Sequence, residues 1–179
     1  MKKLYFTRHG QTFWNVENKI CGITDIGLTE SGHEQAIRLG ELIRQRELCI
    51  DEILCSPLIR ARDTAKHISD ITGIPYREED RLREQRFGKY EGTPRNGAEF
   101  LADKGNFIHS YEGGETMFRL AQRIYNLLDE LKQDDKIYLL AAHNGISRVV
   151  WSYFHDMENE EYAKFGIGNC EILEFEYLD

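Results

Sequence analysis

The sequence predicts an α/β fold, a three-layer α/β/α sandwich whose central sheet is mostly parallel with one antiparallel edge strand. Three observations carry that expectation. Two short apolar runs, Leu4 to Phe6 and Ile137 to Ala142, each stop at a histidine followed by polar residues and a glycine: Arg8-His9-Gly10 in one case, His143-Asn144-Gly145 in the other. Between them, Met117, Leu120, Ala121, Ile124, Leu127, Leu128 and Leu131 recur at helical spacing, with Arg119, Arg123, Asp129 and Glu130 off that face. Near the C-terminus Leu173, Phe175 and Tyr177 alternate with Glu174 and Glu176, the pattern of a half-exposed edge strand. Strands alternating with helices imply a layered sheet covered on both faces. In open sheets of that kind ligands collect just beyond the carboxyl ends of the strands, so two strand ends tipped with histidine suggest one shared pocket.

Taken in order, the first strand leads into a polar, glycine-bearing loop from Gly10 to Leu28, long enough to suggest a function. A helix follows, capped by Thr29 or by Ser31, which has capping-box spacing to Glu34; Ala36, Leu39, Gly40 and Ile43 form its apolar stripe. Glu52 to Cys55 reads as a short strand. Ser56-Pro57 reads as a helix start, a hydroxyl cap followed by proline at the first helical position, with the helix running to about Ile71 and ending at Gly73. Ile74 to Arg77 is a candidate third strand. Glu78 to Gly114 is the least regular stretch, an excursion over the sheet edge with one helix near Gly97 to Lys104. Beyond the strand ending at Ala142, a helix is expected over Ile146 to His155, then the edge strand over Cys170 to Tyr177.

The 179 residues suit one domain spanning 1–179, with 41% hydrophobic and 30% charged residues as in globular proteins generally. No apolar run approaches a membrane span, and the three apolar residues between Lys3 and Thr7 are too few for a secretory leader. Four cysteines without a C-x-x-C pair predict neither a disulfide framework nor a zinc site, so reduced thiols and a cytoplasmic location are expected. A net charge of −8 argues against a nucleic-acid groove. It leaves a small anionic ligand open, because two or three arginines at contact range outweigh net charge screened over a Debye length of roughly 8–10 Å.

Three strand ends carry polar clusters: Arg8-His9-Gly10, Ser56 with Arg60 and Arg62, and His143-Asn144-Gly145. Two histidines and an arginine from separate elements suit a phosphoryl group. Arginine matches phosphate oxygens with a charged planar fork, and helix N-termini after Cys55 and Gly145 would add backbone N–H donors. A neutral imidazole can attack phosphorus and form a covalent intermediate, provided its other nitrogen is held as a donor, most simply to a backbone carbonyl. The residues alone leave Arg60 and Arg62 as alternatives for the pocket, and Glu78, Glu79, Asp80, Glu84 and Glu91 as alternatives for an acid. His33, His67, His109 and His155 read as surface or packing residues, and Arg62 as a solvated helix residue. Arg83 is either a pocket cation or a partner for Glu79. Trp14 and Tyr90 are core or pocket wall, and with Arg83, Phe107 and the loop around His109 they are candidates for the leaving-group side.

Thr7-Arg8-His9-Gly10-Gln11-Thr12 with Asn15, Gly22, Asp25, Leu28-Thr29 and Gly32 resembles the first motif of the histidine phosphatase superfamily, the phosphoglycerate mutase-like proteins. Ser56-Pro57-Leu58-Ile59-Arg60-Ala61 with Thr64-Ala65 resembles its second motif. Leu82-Arg83-Glu84, Phe87-Gly88 and Glu91-Gly92 resemble the third, Gly113-Gly114-Glu115 a fourth, and His143 with Arg148 the last. The resemblance implies His9 as the nucleophile, Arg8, Arg60 and His143 as ligands of the phosphoryl oxygens, Glu84 as proton donor and Asn15 as a further phosphate contact. It also carries Cys21, Gly22 and Asn144 as substrate-binding positions. It implies no cofactor and no metal. Asn144 stands where the family usually has glycine, and Cys21 where many members have a polar residue. The function implied is a phosphomonoesterase acting on a small phosphorylated metabolite, such as α-ribazole phosphate, a sugar phosphate or phosphoglycerate. The alternatives are a phosphoglycerate mutase-type phosphoryl transfer and a non-catalytic phosphoryl-binding module. Hydrolysis is favoured because the excursion from Gly92 to Gly114 is brief and lacks an adjacent arginine pair.

Overall fold

The structure, a computed structural model, describes residues 2–178. Five strands form one sheet: β1 (Lys2–Arg8), β2 (Glu52–Cys55), β3 (Tyr76–Glu78), β4 (Tyr138–Ala142) and β5 (Ile172–Tyr177). Their order is β3-β2-β4-β1-β5. β1 and β4 are parallel neighbours with Arg8 opposite Ala142, and β2 is parallel to both β4 and β3. β5 closes the edge antiparallel to β1. The predicted α/β/α sandwich with one antiparallel edge strand is therefore the observed fold.

Among the described residues the α-helices are α1 (Phe13–Val16), α2 (Glu30–Gln45), α3 (Ile59–Thr72), α4 (Ala98–Asp103), α5 (Met117–Gln133), α6 (Asn144–Phe154) and α7 (Asn159–Lys164). Strand side chains alternate between two cores, as the pleat requires. Leu4, Phe6, Leu54 and Leu140 pack on α5 and α6 through Leu120, Ile124, Ile146 and Val150. Tyr5, Ile53, Leu139 and Ala141 pack on α2 and α3 through Leu39, Ile43, Ala65 and Ile68. Both faces of the sheet are thus covered, which leaves the carboxyl ends of the strands as the open side. No described helix is long and apolar enough to cross a membrane.

Of the two expected caps of α2, Thr29 serves, its hydroxyl accepting from the Gly32 N–H at 3.0 Å. Several other expectations need correction. α3 starts at Ile59 rather than Pro57, because the cap comes from a distant segment: the Asp25 carboxylate accepts from the Ile59 N–H at 2.8 Å. That donor is consequently not offered to a phosphate. The third strand is Tyr76–Glu78, shifted from Ile74–Arg77, and the edge strand starts at Ile172 rather than Cys170. α6 begins directly after His143, two residues before the expected Ile146. The short helices α1 and α7 carry too few turns to declare a period. The largest correction concerns the excursion. It lies over the carboxyl ends of the strands, not the sheet edge, because its aromatic cluster of Phe87, Tyr90, Phe100 and Tyr111 closes around Ile20 of the loop after β1. Backbone bonds between Ile20 and both Gly92 and Thr93, each 2.8 Å, stitch the two segments together.

Candidate active site

The parallel register of β1 and β4 brings the two histidines together. The His9 N–H donates to the Ala142 carbonyl at 3.0 Å, and the rings of His9 and His143 lie 5.3 Å apart between centroids. His9 Nδ1 is 2.7 Å from the Gly10 carbonyl oxygen. A carbonyl oxygen can only accept, so Nδ1 carries the proton and Nε2 keeps its lone pair. Burial, reinforced by Arg60 and Arg8, holds the His9 pKa well below the ordinary histidine value. His143 is shifted the same way by burial, then by Arg60, His9 and Arg8. Both rings are therefore neutral at physiological pH. A Cβ on residue 10 would meet the Gly32 carbonyl oxygen at 2.3 Å, so glycine lets the start of α2 pack directly on the loop.

Arg60 and Arg62 part company on α3. Arg60 is 1% exposed beside both histidines, its terminal nitrogens donating to the carbonyls of Thr24 (2.9 Å) and Gly22 (2.7 Å). Arg62 points outward toward Glu78 at 3.7 Å. Arg8 donates to the Ile167 carbonyl at 2.8 Å, and burial lowers its guanidinium to about 10. The Nε atoms of Arg8 and Arg60 and both ring nitrogens of His143 are buried without a hydrogen-bond partner among the described residues. The two Nε–H groups and the one N–H of the neutral His143 ring are thus donors left without a partner beside His9.

Among the candidate acids only Glu84 lines the cavity. Its carboxyl group accepts from the N–H of Gln85 at 2.9 Å and of Gly145 at 3.0 Å. The expected N–H donor at the start of α6 thus holds the acid. A Cβ on residue 145 would come within 2.3 Å of Glu84 Oε1, so this close approach requires glycine. Glu79 pairs with Arg81, and Arg83 pairs with Asp80 at 2.7 Å, away from the cavity and not with Glu79. Glu115 is spent on Arg123 at 2.9 Å.

Glu91 works one layer further out. Its carboxylate accepts from the N–H of Gly22 (3.1 Å) and Ile23 (3.0 Å) and from the Thr24 hydroxyl (2.8 Å). The loop so fixed is the one whose carbonyls clamp Arg60. Gly22 therefore contributes a backbone ligand for Arg60 and does not line the cavity. Replacing Glu91 by alanine is expected to lower stability by about 2 kcal/mol, since hydrogen bonds to a charged group are lost. It should also loosen Arg60, lowering phosphate affinity. Thermal denaturation and phosphate titration of Glu91→Ala check both.

A cavity of about 110 Å³ opens above His9. Of the expected residues, Arg8, His9, Asn15, Cys21, Glu84 and Asn144 form its wall, while Arg60 and His143 lie behind it. The Cys21 thiol is directed to the Thr24 carbonyl, and burial raises its pKa to about 11. Asn144 accepts from the Ile167 N–H at 3.0 Å. Asn15 Oδ1 accepts from the Thr12 N–H and from Asn169, whose amide also donates to the His9 carbonyl at 2.9 Å. Trp14, Tyr90, Phe107 and His109 itself do not line the cavity, whereas Tyr111 of the loop around His109 does; Tyr90 is core, bonded to Asp103 at 2.6 Å. Sequence reasoning missed Arg95 and Lys104 from the excursion, and it placed Arg148 only as part of a motif. The histidines read as surface or packing residues include the pair His33 and His67, 2.9 Å apart across α2 and α3.

The two buried neutral rings have a consequence for stability. On unfolding below about pH 6.5 each histidine takes up a proton it does not hold when folded. Their contribution is complete above that value and is lost as pH falls below it, by up to about 1.4 kcal/mol per pH unit for each ring. Melting temperatures between pH 7.5 and 5 should drop less steeply for His143→Gln than for the native chain. Parallel curves would refute the assignment.

Comparison with known proteins adds independent findings. A family model described as the histidine phosphatase superfamily (branch 1) matches residues 4–179. The 2,3-bisphosphoglycerate-dependent phosphoglycerate mutase 2 of Gloeobacter violaceus is 31% identical over 195 residues, covering 99% of this chain and 86% of that protein. A 2,3-bisphosphoglycerate-dependent phosphoglycerate mutase of Staphylococcus aureus is 30% identical over 218 residues, covering 100% and 96% respectively. Among solved structures, the mycobacterial glucosyl-3-phosphoglycerate phosphatase in complex with VO3 superposes with a TM-score of 0.84 at 28% identity, over 97% of this chain and 90% of that one. A phosphoserine phosphatase from Entamoeba histolytica in complex with 3-phosphoglyceric acid gives 0.83 at 28% identity, with the same coverage.

Proposed function

Because this chain belongs to the histidine phosphatase superfamily, we propose that it is a phosphoric monoester hydrolase acting on a small phosphorylated metabolite through a phosphohistidine on His9. The observation that carries the reading is the His9 Nδ1 bond to the Gly10 carbonyl, which leaves Nε2 as a neutral nucleophile in the cavity. Nε2 attacks phosphorus in line, forming the N–P bond as the ester P–O bond breaks, and Glu84 gives its proton to the departing oxygen. Water then attacks the phosphohistidine. Glu84, now a carboxylate, takes a proton from that water, and inorganic phosphate leaves with the imidazole restored. Arg8 and Arg60, with His143, stabilise charge on the transferring oxygens, and Asn15 supplies a further contact.

The names of the sequence relatives favour a second reading, a mutase that returns the phosphoryl group to another position of the substrate. Against it, the 179 residues of this chain are spread over 218 aligned positions of the Staphylococcus relative, so that protein carries segments this one lacks. The excursion that would exclude water, Gly92 to Gly114, is itself brief.

One assay separates the readings. Purified protein in EDTA is incubated with a panel of phosphate monoesters that includes 3-phosphoglycerate, and both free phosphate and isomeric product are measured. Phosphate release that persists in EDTA is the expected result. Conversion to an isomer without phosphate release would assign the mutase, and binding without either product would assign a phosphoryl-binding module.

A further inference from the structure

Away from the cavity, one pair of side chains with metal-binding chemistry takes no part in the mechanism. His33 on α2 and His67 on α3 present ring nitrogens to each other across the packed helices, Nδ1 of His33 lying 2.9 Å from Nε2 of His67. The rings are nearly perpendicular, at 84° with centroids 5.1 Å apart, and both are partly buried. The facing nitrogens of two neutral imidazoles share one proton, so that one ring donates and the other accepts. If that proton moves to the far nitrogen of its own ring, both facing nitrogens carry lone pairs and no charge has changed. The pair is then a bidentate nitrogen ligand held by two rigid helices.

Its spacing selects the metal. Imidazole nitrogens bind divalent transition metals at about 2.0–2.1 Å, and two such bonds to nitrogens 2.9 Å apart enclose an angle of about 90°. That is the angle between adjacent ligands in the tetragonal complexes of nickel(II) and copper(II). A tetrahedral zinc ion would need the nitrogens about 3.3–3.4 Å apart. The surroundings favour a cation. Asp63 and Asp70 stand one turn to either side of His67, and Glu30 one turn before His33. Lys66, next to His67 in the chain, is tied to Asp70 at 2.6 Å. Among the described residues no group of three or more histidine, cysteine or acidic side chains could hold a metal, so water fills the remaining positions.

The pair also lies close behind the loop that carries His9. His33 follows Gly32, whose carbonyl packs against Gly10, and Thr64, one turn before His67, accepts from the Gly10 N–H at 3.0 Å. An ion joining the rings cross-links α2 and α3 where both brace that loop.

We propose that His33 and His67 form a bidentate site for a divalent transition-metal ion of the nickel and copper class, with water completing its shell, which clamps α2 to α3 behind the His9 loop. The ion is structural, and the site stands whether or not the chain hydrolyses phosphate esters.

The test uses protein without a polyhistidine tag, stripped with EDTA, dialysed, and titrated with Ni²⁺ by calorimetry and by NMR of the histidine rings. Nickel is preferred to copper because it does not oxidise the exposed Cys49 thiol. One ion per chain is expected, with the paramagnetic ion broadening the ring signals of His33 and His67 together, before those of the other histidines. Affinity should fall at least about tenfold in His33→Gln and in His67→Gln, since even changes outside the metal's own ligands cost that much. It should be unchanged in His155→Gln, which removes an exposed histidine elsewhere. At a hundredfold excess of free nickel over its dissociation constant, the native melting temperature should rise by about 5–10 °C. Mg²⁺, which takes oxygen ligands, should move neither the spectra nor the melting temperature. Native affinity retained in either glutamine variant, or broadening that begins on other histidines, would overturn the site. The second criterion is read on the native chain, so it decides even where a substitution disturbs the helix packing. Tighter binding of Zn²⁺ than of Ni²⁺ would overturn the geometry, because the rings would then have parted to the tetrahedral spacing.

Discussion

Replacing His9 by alanine is expected to lower phosphate release by a factor on the order of 10⁵, the scale on which removal of a nucleophile acts when the remaining groups can only position substrate. The expectation follows from the ring's surroundings. His9 is 5% exposed, donates through Nδ1 and is kept neutral by burial and by Arg60 and Arg8. An imidazole serving only to hold phosphate electrostatically would be better protonated, and this one is held deprotonated. Incubation of the native protein with ³²P-labelled substrate, quenched in alkali, should trap an acid-labile label on His9. His9→Ala should show no label, a native circular dichroism spectrum and retained phosphate binding through Arg8 and Arg60. A variant that keeps more than about a hundredth of native turnover would exclude covalent catalysis on His9.

The second large effect concerns Glu84. A positioned general acid contributes roughly 10²–10⁴-fold, and its loss depends on how much the leaving group needs a proton. Glu84→Gln should lower the rate of phosphohistidine formation, read in a single turnover, by that range for an alkyl phosphate and far less for p-nitrophenyl phosphate, because a nitrophenolate departs without protonation. Glutamine is a demanding replacement here. Both carboxyl oxygens accept from backbone N–H groups, of Gln85 and Gly145, so the amide NH2 must face a donor. That costs about one hydrogen bond, near 1 kcal/mol of stability, which thermal denaturation reads separately from rate. Equal losses on both esters in that first step would remove Glu84 from the role of proton donor.

What could be read from the sequence divides along physical lines. The sheet and its long helices were legible because burial on both faces writes a period into Leu4 to Phe6, Ile137 to Ala142 and Met117 to Leu131, which the two cores account for. The strand-end histidines were legible as a pair, although their contact depends on β1 and β4 being neighbours across more than a hundred residues. Spacing could not choose between Arg60 and Arg62, since the choice is made by the carbonyls of Gly22 and Thr24 folding over α3. Nor could it choose Glu84, which is selected by the Gly145 N–H at the start of α6. Arg95 and Lys104 left no signal, because an irregular segment has no period and only the aromatic closure around Ile20 brings them over the strand ends. Asn169 reaches His9 from the far end of the chain, and nothing local announces it.

The sheet order has a further consequence, in the time taken to make the protein. Among the described strands β1 leaves the ribosome ahead of the other four, whereas both its partners, β4 and β5, follow β2 and β3. At about 5–20 residues per second, β1 waits on the order of ten seconds with its apolar residues unpaired and both edges open. Such long-range pairing slows folding and exposes the nascent chain to association. His9 at the end of β1 therefore gains its setting only when β4 and Asn169 have emerged. Fragments released early carry His9 with neither its neighbouring ring nor its backbone anchor, and a ribosome stalled before residue 138 holds an inactive, association-prone chain.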